Sequence, residues 1–166
     1  MNGRGASPAR PPQLSVFDRL IDREPDVVQE PALSASESFA LLRTSVRADL
    51  EMLLNTRRRW RSWDPAMREL ATSPVGYGLP DFASGAFNDA RRREELRAEV
   101  EATIRRFETR LTQVSVTFGA PYDPLSATLR LRISALLQAE PAPEPIAFET
   151  VLDASNADVT VKAEDA

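Results

Sequence analysis

Carboxylates and arginines are the side chains of this sequence with the most scope for chemistry. The 166 residues include no Cys and no His, which excludes thiolate nucleophiles, disulfides, Cys/His zinc sites and the usual proton shuttle at neutral pH. Glu108, with Asp81 or Asp123 from elsewhere in the chain, could supply the carboxylate pair of a glycoside hydrolase. No recognisable catalytic motif surrounds them, so we expect a protein that is not an enzyme and has no cofactor or metal.

Arginines and tryptophans form a second group. Asn55 to Trp63 reads Asn-Thr-Arg-Arg-Arg-Trp-Arg-Ser-Trp, and such a segment could stack on bases and neutralise phosphates. The alternative is a helix end, where cations complement the macrodipole and the rings pack on the protein body. Because the net charge is −4 and no wider basic face is evident, we expect no nucleic-acid binding and favour an acidic protein partner.

A loop rich in Gly and Pro runs from Thr72 to Asp81. It has no Lys, no Gly-Lys-Ser/Thr ending and no preceding strand pattern, which argues against a phosphate-binding loop. We expect Tyr77 and Leu79 to anchor this loop on the core.

The first half of the chain carries helical patterns. Ser34 and Glu37 form a capping-box pattern, which predicts a helix that buries Phe39, Leu42, Val46, Leu50, Leu53 and Leu54. Asn88 or Asp89 can cap a second helix, whose apolar residues are Leu96, Val100, Ile104, Phe107 and Leu111. Shorter helices are predicted at 14–22, docked on the body, and at 66–71.

The second half carries strand patterns with a period of two. Val114, Val116 and Phe118 alternate with polar residues, and 127–135 alternates most clearly. Three prolines, the last of them Pro145, are expected to interrupt pairing before a strand at 146–152, and 159–162 predicts a last short strand. Helices followed by an antiparallel meander predict an α+β fold, with N-terminal helices packed on a small sheet.

We predict one domain. Residues 1–13 are expected to form a disordered tail, 14–152 the domain, and 153–166 a short strand followed by an acidic tail. The sequence contains no run of about 18 apolar residues and no signal-peptide pattern. We therefore expect a cytoplasmic protein without membrane insertion.

Four blocks of sequence resemble, in order, the baseplate subunit TssE of bacterial type VI secretion systems. They are Phe17 to Leu20, Val46 to Arg57, Ser73 to Asp81 and Ile104 to Leu111. TssE is in turn similar to the small wedge subunit of contractile phage-tail baseplates, whose members were once labelled lysozymes. The resemblance covers about residues 14–152.

This resemblance implies a non-enzymatic role in assembly. Proteins of the family sit in the baseplate at the cytoplasmic side of the inner membrane and bind wedge subunits of the TssF and TssG type, with TssK nearby. They also help to start polymerisation of the contractile TssB–TssC sheath.

The resemblance also indicates a partner-binding site. The family has Glu-Pro-Arg at the junction of helix and strand, where this chain has Glu108, Thr109 and Arg110. Since Thr keeps its N–H and does not fix φ, this junction is expected to be looser or one residue longer. We expect Glu108 and Arg110 to point outward and to offer an acceptor and a donor side by side to a partner. Without a partner, such a pair would contribute no more than about 1 kcal/mol. The second part of the site comprises Tyr77, Gly78, Leu79 and Pro80.

The meander suggests a further contact, because an exposed sheet edge can accept a strand from another chain. The resemblance implies that sheath subunits are linked by donated strands. We therefore expect the edge at 146–152 to serve as a template for the first ring of the sheath, and a proline at Phe148 to block it.

Overall fold

Helices precede a single antiparallel sheet. The computed structural model describes residues 15–16, 20, 26, 34–60, 62–64, 66–82, 87, 89–119, 128–139, 142–153, 155 and 158–164. The elements in these ranges are α1 (Ala35–Asn55), two 3-10 helices (Arg68–Thr72 and Pro74–Gly76), α2 (Ala90–Phe107), β1 (Leu111–Phe118), β2 (Thr128–Leu137), β3 (Glu144–Asp153) and β4 (Asp158–Ala163). This arrangement confirms the predicted α+β class.

Helix α1 begins and packs as its sequence predicts. The Ser34 hydroxyl accepts from the Glu37 N–H at 3.3 Å, and the Ser34 N–H donates to the Glu37 carboxylate at 2.9 Å, which completes the capping box. Leucines and valines four residues apart on this helix are buried, as are the two leucines in its last turn. Apolar spacing therefore places one face of α1 against the core.

Helix α2 is capped by Asp89, whose side chain accepts from the Arg91 N–H at 2.9 Å; Asn88 lies outside the described residues. Leu96, Val100 and Ile104 are buried. The helix ends at Phe107, so Leu111 belongs to β1 and not to the helical stripe.

The four strands form an antiparallel sheet in the order β1-β2-β3-β4. Strand β3 pairs along its whole length with β2 and along half of it with β4, so the prediction of a free edge at 146–152 is wrong. The edges of the sheet are β1 and β4. Pro145 pairs with Leu136 inside β3, and the expectation that prolines prevent pairing before Ile146 is also wrong.

Strand β1 contains a bulge that the alternation did not predict. Between Thr112 and Ser115, two residues of β1 lie opposite one residue of β2. One of the two, Gln113, has φ of 51°. The extra residue allows Leu111 and Val114 to be buried although they are three apart. Phe118, predicted to be buried, is 42% exposed because it ends an edge strand.

One core joins these elements, with α1 packed against β4 and α2 against β1. Val159 and Val161 of β4 belong to this core. The short helix expected at 66–71 is a 3-10 helix that begins at Arg68. Within the described ranges, no helix has both the length and the apolar character needed to cross a membrane.

The predicted tail at 1–13 and most of the predicted helix at 14–22 lie outside the described residues. Two residues of that helix are described in a helical conformation, Val16 and Leu20, and their side chains are exposed. They give no support to docking of this segment on the body.

Candidate functional site

The junction between α2 and β1 is a tight turn. Glu108 caps α2 with φ of −100° and ψ of 82°, and its N–H donates to the Ile104 carbonyl at 2.9 Å. The Leu111 N–H then donates back to the Glu108 carbonyl at 3.2 Å, which places Thr109 at the second position of a four-residue turn. The helix thus ends at Phe107 without a proline, and the junction is not extended by a residue.

Glu108 does not point outward as predicted, because it is only 6% exposed. Its carboxylate accepts from Arg110 at both oxygens, from Nε at 2.7 Å and from Nη2 at 2.5 Å. The Arg110 backbone N–H adds a bond of 3.2 Å to the same carboxylate. The two charges therefore form a bidentate pair with each other.

Arg110 also reaches helix α1. Its Nη2 donates to the Asp49 carboxylate and its Nη1 to the Ser45 hydroxyl at 3.3 Å. The hydrogen bond to Glu108, together with that to Asp49, outweighs burial and raises the pKa of Arg110 above its ordinary value. Arg110 thus joins the junction to α1 as a permanent cation.

Tyr77 brings the Gly/Pro-rich loop to the same place. Its ring packs edge-on against Phe107, with the ring centroids 5.1 Å apart. Burial raises the pKa of the Tyr77 hydroxyl, and the nearby charges of Asp49 and Glu108 raise it further. The structure therefore unites the two blocks that the sequence singled out.

The next two residues fix the loop to the end of α1. Gly78 has φ of +94°, and a Cβ there would lie 2.3 Å from the Thr56 carbonyl oxygen. The Leu79 N–H donates to that same oxygen at 2.9 Å, and the Arg58 N–H donates to the Leu79 carbonyl at 2.8 Å. Leu79 is fully buried, so its anchoring role is confirmed.

The seven predicted site residues differ in accessibility. Three of them are buried, namely Gly78, Leu79 and Glu108. They fix the shape of the site from within the protein and are not accessible to a partner. The remaining four are partly or fully accessible to a partner: Tyr77, Pro80, Thr109 and Arg110.

Two arginines of the 55–63 segment form contacts with other residues of the same chain. Arg57 donates to the Leu54 carbonyl at 2.9 Å and lies 4.3 Å above the Phe82 ring; burial lowers the pKa of Arg57, although Asp81 and Asp158 oppose this. Arg58 pairs with Glu99 at 2.9 Å. Such internal contacts agree with the helix-end interpretation, while Trp60 remains 60% exposed.

The arrangement offers little to a hydrolase. Each Glu108 oxygen already accepts from Arg110, Asp81 is exposed, and Asp123 lies outside the described residues. Within the described ranges, no three His, Cys, Asp or Glu residues are grouped to hold a metal ion.

Sequence reasoning missed Ser45 and Asp49. They lie one turn apart on the same side of α1, but 61 residues separate Asp49 from Arg110. A local sequence pattern cannot indicate a contact between residues that are so far apart in the sequence.

Comparison with family models matches residues 40–142 to the family described as baseplate wedge protein gp25. A search of curated proteins found no match. The matched residues include most of α1, the Tyr77 loop, α2, the junction, β1 and β2, and they make up more than half of the chain. The match confirms the resemblance to phage and TssE-like wedge subunits, and the chain belongs to the baseplate wedge protein gp25 family.

Proposed function

We propose that the chain is a non-enzymatic structural subunit of a type VI secretion baseplate. In this proposal it works in the cytoplasm, binds TssF and TssG wedge subunits with TssK nearby, and helps to start TssB–TssC sheath polymerisation. The family match over residues 40–142 is the observation that carries the proposal. It supports a role in a baseplate, and the finer assignment extends the resemblance seen in the sequence.

We assign the partner-binding surface to the accessible residues around the junction. Thr109 stands exposed at the turn, with half-buried Arg110 and Tyr77 beside it. The internal pair of Arg110 with Glu108 holds the guanidinium in one orientation, so less side-chain entropy is lost when a partner binds. The junction thus acts as a preorganised contact and not as a pair of free charges.

Co-purification with TssF and TssG tests this assignment. We would replace Thr109 by Trp, because a bulky side chain at an exposed turn obstructs a partner while the ion pair beneath it stays intact. Thr117→Trp is the matched control, since Thr117 is also exposed and lies at the far end of β1, roughly 20 Å away at 3.3 Å per strand residue. Circular dichroism verifies that both variants fold.

The expected result is a complex with the wild type and with Thr117→Trp, and at least about a tenfold weaker complex with Thr109→Trp, as for the loss of about 1.4 kcal/mol. Equal binding by the two variants would move the interface elsewhere on the protein. Absence of any complex with the wild type would refute the type VI assignment.

An enzyme is the competing proposal. Peptidoglycan turnover that is lost on Glu108→Gln would support a glycoside hydrolase, whereas the wedge proposal expects no turnover by the wild type.

A further inference from the structure

Strand β4 is an edge strand whose outward backbone groups are not free. Because the Glu164 N–H donates to the Ala147 carbonyl, the N–H and C=O groups of Val159 and Val161 point away from β3. An edge of this kind attracts strands from other chains. Here side chains of α1 occupy those groups.

Asn55 imitates one residue of a neighbouring strand. Its Nδ2 donates to the Val159 carbonyl at 2.7 Å, and its Oδ1 accepts from the Val159 N–H at 2.9 Å. A side-chain amide has one donor side and one acceptor side, as a peptide group does. The pair of bonds is that of a hydrogen-bonded antiparallel residue pair.

The same pattern continues along the helix. Glu51 accepts from the Val161 N–H at 3.3 Å, and Arg47 donates to the Val161 carbonyl at 3.1 Å. Arg43 donates to the Glu164 carbonyl, but Glu164 lies three residues after Val161 and its N–H bonds to β3, so this bond is outside the pattern. The spacing explains the match, because four helical residues rise about 6 Å and two strand residues rise about 6.6 Å.

The opposite edge is covered in a similar way by α2. Arg105 donates to the Val114 carbonyl at 2.6 Å, Arg97 donates to the Val116 carbonyl at 2.8 Å, and Glu101 accepts from the Val116 N–H at 3.1 Å. Arg97, Glu101 and Arg105 follow one another at intervals of four residues, and Glu101 forms ion pairs with both arginines. Each edge strand is thus covered by one helix.

From these contacts we infer that Arg47, Glu51 and Asn55 form an edge guard, a surrogate strand that keeps β4 closed to the strand of a second copy of this chain. The inference rests on the geometry of α1 and β4 and holds whatever the partners of the junction are. The guard satisfies the outward N–H and C=O groups of Val159 and Val161 without leaving a new unpaired edge behind.

Residue-resolved amide hydrogen exchange tests the guard in the full chain. Glu51→Ala removes the acceptor of the Val161 N–H and should speed exchange at that amide about tenfold while leaving the Val159 amide unchanged. Asn55→Ala should affect the Val159 amide alone and by a smaller factor, because that N–H also donates to Asp158 Oδ1 at 3.0 Å. Gln138→Ala, which removes an exposed side chain outside the guard, should change neither amide.

Sedimentation velocity then tests what the guard prevents. The double variant Glu51→Ala/Asn55→Ala should self-associate as its concentration rises, while the wild type and Gln138→Ala stay monomeric. If the folded double variant remains monomeric throughout, the inference is wrong. It is also wrong if Glu51→Ala folds and leaves the Val161 amide protected, and this result decides the question should the double variant not fold.

Discussion

Removal of Arg110 should destabilise the protein far more than removal of an ordinary surface charge. In Arg110→Met the Glu108 carboxylate stays in a site that is 6% exposed and loses both side-chain donors. Asp49, with 44% of its side chain exposed, can still be hydrated. The cost therefore arises mainly at Glu108.

The contacts set the size of the effect. A hydrogen bond to a charged group contributes about 1.5–3 kcal/mol, and removing one partner of a buried ion pair costs about 3–5 kcal/mol. Because the Arg110 side chain is itself 24% exposed, solvent reduces these values, and we expect a loss of about 3 kcal/mol. Asp49→Asn should cost less than about 1 kcal/mol, since it changes one partly exposed bond.

Urea unfolding at neutral pH measures these losses, with Glu108→Leu/Arg110→Met as the informative double variant. Replacing both partners by apolar side chains leaves no buried unpaired charge, so the double variant should be more stable than Arg110→Met alone. Arg91→Met removes a guanidinium from an exposed pair with Glu95 and should leave stability unchanged. A loss below about 1 kcal/mol for Arg110→Met, or no recovery in the double variant, would refute the reasoning.

Three further variants test other parts of the structure. Gly78→Ala should lower the free energy of unfolding in urea by at least about 2 kcal/mol, because Gly78 has a positive φ and its new Cβ would meet the Thr56 carbonyl. The control Gly119→Ala should cost little, since its Cβ would meet Arg130 only at 3.5 Å. Equal losses in the two variants would contradict this. Thr109→Pro should leave stability unchanged or raise it by about 0.5 kcal/mol, because proline suits the second position of the turn. A loss of stability above about 1 kcal/mol would show that the turn is misassigned. Burial raises the pKa of Glu101, but the Val116 N–H and two arginines outweigh burial and leave the pKa lowered. The stabilisation of the fold by ionised Glu101 is therefore complete above the unfolded pKa and is lost as pH falls through the folded pKa. Glu101→Gln should therefore weaken the fold more at about pH 7 than at about pH 3, and the same loss at both pH values would argue against this origin.

Local patterns predicted most of the fold. The capping box at Ser34, the leucine stripe of α1 and the alternation in β2 are each encoded within a few residues, because helix and strand periods differ. The fold class follows from their order. The bulge at Gln113 has no such pattern, and only the burial of Leu111 together with Val114 explains it.

The site was predicted less completely. The sequence and its resemblance singled out the Glu108 junction and the Tyr77 loop, and the structure places them side by side through Phe107. The contact of Arg110 with Asp49 of α1 could not be predicted, since the two residues are 61 apart in the sequence. The edge of β3 was chosen wrongly because alternation describes the faces of a strand and not its neighbours.

The contact between α1 and β4 has a consequence for biosynthesis. Asn55 and Val159 are 104 residues apart, so at about 5–20 residues per second the ribosome needs about 5–20 seconds to deliver the strand after the helix. During that interval the leucines of α1 lack their sheet, and contacts of such long range also slow folding. The nascent chain therefore passes through a stage in which its first long helix is exposed to chaperones, and β4 is the element whose arrival completes the core.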